Sequence, residues 1–123
     1  MENKANAIEI PPMIPLKKLA RERWSIMGVA GPHKDMCFPC NRRLVMGRSV
    51  MSCNVVFPEN TPGISKTHCE IQPTEGGLLV RDLDSTYGSF RKDGKRIGSK
   101  EPVLLKRGDL FFLANTDIMF RVN

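Results

Sequence analysis

No apolar run in this chain is long: stretches such as Leu110–Ala114 cover only a few residues, against the roughly 20 that a bilayer-crossing helix needs. The opening Met1-Glu2-Asn3-Lys4 leads into no apolar segment followed by small residues, so a secretory leader is not expected. The expectation is a cytoplasmic chain with no membrane partner. Aromatic residues are also few, with six Phe, one Tyr and one Trp. None interleaves with Arg42, Arg43, Lys92, Lys95 and Arg96 in the way a base-stacking platform requires, which speaks against nucleic acid as the partner. The sequence offers no nucleophile with a partnered base, no paired carboxylates and no phosphate-cradling Gly-rich loop before a helix. Neither an enzyme nor a cofactor is expected.

A second cysteine pair is missing as well. Cys37 and Cys40 have metal-ligand spacing, as Cys-Phe-Pro-Cys, but Cys53, Cys69, His33 and His68 make no matching knuckle, so no metal site is expected. A redox Cys-x-x-Cys belongs at a helix start after a strand, and that context is absent. The four cysteines are expected to be mostly free thiols, as in a reducing compartment. Cys53 and Cys69 stand beside strand-like apolar residues and read as small core hydrophobes.

What the chain does have is enough length, at 123 residues, for one domain with a real core. Its net charge is +6, which favours acidic partners, phosphorylated ones included, without choosing among them. Residues 1–22 read as a tail or edge extension, because Pro11, Pro12 and Pro15 interrupt regular structure and favour an extended course. Leu16–Trp24 has the spacing for about two turns of helix. No Ser or Thr precedes Ser25, so this segment holds no threonine that could be phosphorylated and docked on its own domain.

From residue 23 to 123 the pattern is short strands between turn residues. Strands are expected over 23–29, 36–40, 42–46, 55–57, 68–72, 78–82, 88–92, 95–97, 103–105, 110–114 and 118–122. Asp93-Gly94 favours a tight hairpin turn between two of them. So many short strands, with at most one short helix, indicate an all-β antiparallel sandwich or barrel, whose binding residues gather on loops at the sheet ends. The centre of the pattern is Ile64-Ser65-Lys66-Thr67-His68-Cys69-Glu70-Ile71. Thr61-Pro62-Gly63 makes a loop before it, and Thr67–Ile71 alternates as a half-buried strand. Ser65 and Lys66 thus stand where loop becomes strand, a hydroxyl beside an ammonium, which suits an anion.

Gly47-Arg48, Ser65-Lys66-Thr67-His68, Asp82-Leu83, Ser85-Thr86-Tyr87-Gly88-Ser89 and Arg107-Gly108-Asp109 occur in an order that resembles the forkhead-associated (FHA) domain family. That family shows Gly-Arg, Ser-x-x-His, Asp-x-x-Ser-x-Asn-Gly and a late Gly-Asp. The resemblance covers roughly residues 23–123 and implies a two-sheet sandwich of about eleven strands. It also implies a non-catalytic module that binds phosphothreonine peptides, the products of Ser/Thr kinases, in a bacterial-style signalling or assembly role. By the same resemblance Arg48, Ser65, Lys66, Thr86 and Tyr87 are the binding residues. Gly47, His68 and Gly88 would support the binding loops, the glycines by permitting backbone shapes closed to other residues and the histidine by acting as a brace. The plain alternative for Arg48 or Lys66 is a solvated surface charge, and for Ser65 a loop-capping hydroxyl. One position departs from the family: its backbone-clamping asparagine is Tyr87 here, and a single hydroxyl cannot replace an amide's donors and acceptor. The competing expectation is therefore a phosphate-independent or self-associating domain.

Overall fold

The computed structural model describes residues 24–123. The tail expected over 1–22, and all of the expected 16–24 helix but Trp24, lie outside the described residues. Eleven strands follow: β1 (Ser25–Ala30), β2 (Cys37–Pro39), β3 (Leu44–Gly47), β4 (Val55–Val56), β5 (Cys69–Pro73), β6 (Leu78–Asp82), β7 (Ser89–Arg91), β8 (Arg96–Ile97), β9 (Val103–Leu105), β10 (Leu110–Leu113) and β11 (Met119–Val122). They form a five-stranded sheet in the order β9-β6-β5-β3-β4 and a six-stranded sheet in the order β2-β1-β11-β10-β7-β8. This is the all-β sandwich that the pattern indicates.

Alternation decides which side chains fill the space between the sheets. In β5, Cys69 and Ile71 are buried while Gln72 is exposed. In β10 and β11, Phe111, Leu113, Phe120 and Val122 are fully buried. Phe111 stacks on Phe120 at 5.7 Å, and Phe57 meets Phe120 edge-on at 6.3 Å. Such aromatic pairs add about 0.5–1.5 kcal/mol beyond their burial. His33 closes one flank of this cluster, edge-on to Phe57 at 4.5 Å, with its Nε2 hydrogen-bonded to the Val56 carbonyl at 2.9 Å.

Three details differ from the sequence expectation. First, β3 and β4 pair in parallel, Met46 with Val55 and Gly47 with Val56, so the sandwich is not antiparallel throughout. Residues 48–54 bring the chain back to run alongside itself in the same direction, so this short loop serves as a crossover. Second, the β7–β8 hairpin closes through three residues rather than two. Arg91 and Lys95 still pair across it, Gly94 N–H returns to the Arg91 carbonyl, and Gly94 takes a positive φ of 89°. That is the turn-plus-left-handed-residue form of a three-residue loop. Third, Cys53 is only half-buried and stands outside the core cluster, whereas Cys69 is fully buried in it. Burial pushes the Cys40 thiol up to about 11 and the Cys69 thiol higher still. The Cys53 thiol is raised by the same cause, opposed by a hydrogen bond from the Ser49 backbone.

The pairings also fix where the loops go. Met46 lies opposite Cys69 and Cys69 opposite Asp82, so the end of β3, the start of β5 and the end of β6 stand side by side. Ser89, at the start of β7, pairs with Leu113 in the other sheet. Loops 48–54, 57–68 and 83–88 therefore share one end of the sandwich.

Candidate functional site

The loop from residue 83 to 88 is built on one buried carboxylate. Asp82, 3% exposed, accepts the Ser85 N–H at 2.9 Å through Oδ2. Its Oδ1 accepts the Ser85 and Ser89 hydroxyls, each at 2.7 Å. Ser85 Oγ then accepts the Gly88 N–H at 2.9 Å. A buried acceptor so fully used holds the turn in one shape. Gly88 completes that turn at φ 89°, and a side chain there would also meet Phe90.

His68 ties this loop to its neighbour. The Ser65 N–H donates to His68 Nδ1 at 3.1 Å, so Nδ1 is unprotonated and Nε2–H donates to the Gly88 carbonyl at 2.8 Å. Both ring nitrogens are satisfied only in this neutral tautomer. The ring is fully buried. Burial holds its pKa below the usual histidine value, against the opposing pull of the Gly88 bond and the Asp82 charge. The imidazole is thus a brace between the loops and has no free nitrogen for proton transfer.

The third loop docks by close backbone approach. Arg48 N–H donates to the Ser65 carbonyl at 3.1 Å and Ser49 N–H to the Lys66 carbonyl at 3.0 Å. A Cβ on Gly47 would stand 2.2 Å from the Lys66 oxygen. Gly47 is therefore required for space, not for an unusual φ, which corrects the sequence reading of that glycine. Gly88 does need the freedom expected of it.

These contacts bring Arg48, Ser65, Thr86 and Tyr87 to the wall of one pocket of about 190 Å³, with Gly63 and Ile64 completing it. Ser65 Oγ accepts the Thr86 N–H at 3.1 Å, which leaves its own hydrogen free to donate into the pocket. Arg48 is less free than a surface arginine: Nε donates to the Ile64 carbonyl at 2.6 Å and Nη1 to the Glu59 carbonyl at 3.0 Å. Only the Nη2 end remains wholly uncommitted, so half of the guanidinium fork is spent on holding the loop. Lys66 is exposed and lines the neighbouring groove of about 610 Å³, of which Arg48 is also a wall. Tyr87 is 62% exposed and its hydroxyl makes no hydrogen bond among the described residues.

Sequence reasoning gave Asp82 and Ser85 only as parts of a motif. Their spacing, with a carboxylate three residues before a serine, is the signal for the side-chain-to-backbone turn they make. Among the described residues no group of three or more His, Cys, Asp or Glu side chains is placed to hold a metal.

Residues 44–114 match the FHA domain family. No curated protein matches the chain by sequence. Solved structures are similar in fold. An FHA domain of an Arabidopsis thaliana hypothetical protein superposes with TM-score 0.70 at 22% identity, covering 81% of this chain and 83% of that one. The FHA domain of the CT664 protein from Chlamydia trachomatis gives TM-score 0.68 at 18% identity, covering 81% and 95%. The MEK1 FHA domain in complex with a HOP1 phosphothreonine peptide gives 0.63 at 19%, covering 81% and 94%. A family match across more than half the chain, on an eleven-stranded two-sheet sandwich, makes the conclusion plain: this chain belongs to the FHA domain family.

Proposed function

We propose that this domain is a non-catalytic interaction module that binds phosphothreonine-containing segments of a partner protein at the Arg48–Ser65 pocket. The observation that supports it best is that Ser65, whose hydroxyl hydrogen is uncommitted, and Arg48, whose Nη2 makes no hydrogen bond among the described residues, line one pocket beside the His68 brace. A phosphate carries about −1.5 to −2 charge and three acceptor oxygens, which such donors match. Lys66 supplies a further positive charge from the adjoining groove, and Thr86 and Tyr87 form the opposite wall for the peptide. That the MEK1 FHA domain has been solved with a HOP1 phosphothreonine peptide supports the same ligand class.

Paired titrations test this reading with a degenerate phosphothreonine peptide library and its unphosphorylated counterpart. A charge-assisted contact is worth about 1.5–3 kcal/mol, so the phosphorylated form should bind at least about tenfold tighter. Equal affinity of the two forms would overturn it.

A second reading, phosphate-independent binding or self-association, is favoured by one observation. Tyr87 stands where the family carries its clamping asparagine, and its exposed, unbonded ring suits an apolar surface better than a peptide backbone. A mass that rises with chain concentration would support it.

A further inference from the structure

An antiparallel sheet with one side toward water normally alternates apolar inward and polar outward. The six-stranded sheet departs from that on its outer side. In β10 and β11, Phe111, Leu113, Phe120 and Val122 fill the core, so Leu110, Phe112 and Met119 point the other way. Directly opposed residues share a face. Phe112 pairs with Phe90 and Met119, and Arg121 pairs with Leu110 and Met27. Phe90 and Phe112 stack on this side at 5.1 Å. Apolar side chains thus run across β1, β11, β10 and β7 around Arg121, and each of them is partly exposed. All eleven strands are used in the two sheets, so no described strand lies over this face.

The sequence ahead of β1 carries a matching set. Ile8, Ile10, Met13, Ile14, Leu16 and Leu19 place six large apolar side chains within residues 8–19, a density that a solvated tail does not carry. This segment joins the domain at Trp24 and the start of β1, which is itself one of the four strands bearing the apolar face. From β1 to β7 is three strand spacings, about 14 Å, which extended chain covers in about five residues. We propose that residues 8–19 of this chain lie across the outer face of the six-stranded sheet, against Met27, Leu110, Phe112, Phe90 and Met119. Removing both apolar sets from water is the term that drives the docking. The covalent link favours this occupant over a second copy, because a short connection gives an effective concentration on the order of millimolar.

The experiment is methyl NMR on the full chain, and its first reading needs no variant. Nuclear Overhauser contacts from the Met27 and Met119 methyls to Ile and Leu methyls of residues 8–19 are expected, unchanged on dilution. A Leu16→Ser, Leu19→Ser double variant should weaken the docking equilibrium about a hundredfold. It should shift the Met27 and Met119 methyls while the methyl of Met46, fully buried in the core, stays in place as the check on folding. Absence of those contacts overturns the proposal, as do Met27 and Met119 methyls that the double variant leaves unmoved. Contacts that fade on dilution assign the face to a second copy and overturn it as well.

Discussion

Replacing Asp82 by Asn removes one charge and nearly no volume, and so isolates what the buried carboxylate does. In the native loop its two oxygens accept three hydrogen bonds, from Ser85 N–H, Ser85 Oγ and Ser89 Oγ. With the amide oxygen kept toward the two hydroxyls, both bonds lose their charge assistance, worth about 1 kcal/mol each. The amide nitrogen then faces the Ser85 N–H, donor against donor, which leaves a buried donor unpaired at about 1–3 kcal/mol. The sum is about 3–5 kcal/mol, partly offset because a neutral amide is easier to bury than a carboxylate. Net destabilisation of about 3 kcal/mol is the working figure, a fall in Tm on the order of 15 °C for a domain of this size. Urea unfolding followed by Trp24 fluorescence measures it, with the midpoint falling and the slope unchanged. A loss below about 0.5 kcal/mol would refute the claim that this carboxylate builds the loop.

Two further outcomes follow from the same geometry. Gly47→Ala drives a methyl group into the Lys66 carbonyl at 2.2 Å; overpacking of this kind costs about 1–3 kcal/mol. It should also displace the strand start carrying Ser65 and so weaken peptide binding, whereas unchanged melts and titrations would contradict the docking described. Because burial lowers the His68 pKa in the folded state, the unfolded chain binds that proton more readily. The His68 contribution is then fully present above the unfolded value of about 6.5 and declines as pH falls through it. An NMR titration should find the His68 ring still neutral where a free imidazole is half protonated, and a normal or raised value would exclude the neutral brace.

Much of the fold was legible because strand alternation is a local signal. The limits of β6 and β9 coincide with the strands expected over Leu78–Asp82 and Val103–Leu105. The site residues were legible as an ordered set of short motifs at strand ends. What escaped was tertiary. The carbonyls that occupy Arg48 belong to Ile64 and Glu59, 16 and 11 residues away, and nothing in a Gly-Arg pair announces them. The need for glycine at 47 arises from the Lys66 oxygen across the strand gap, which no φ preference encodes. Cys53 looked like a core residue from its apolar neighbours, yet it lies in the loop that turns β3 back beside β4. The Asp93-Gly94 pair marked the right hairpin, but Lys92 joined the turn because Gly94 supplies the left-handed residue at its third position.

The most direct test of the central claim is a pair of amide NMR titrations with the phosphothreonine peptide library and with its unphosphorylated counterpart. Binding at the Arg48–Ser65 pocket predicts phosphate-dependent shifts confined to residues 47–50, 63–68 and 84–88, abolished by Arg48→Ala. Identical shifts with both peptide forms, or shifts confined to the opposite end of the sandwich around Arg91 and Gly108, would contradict it.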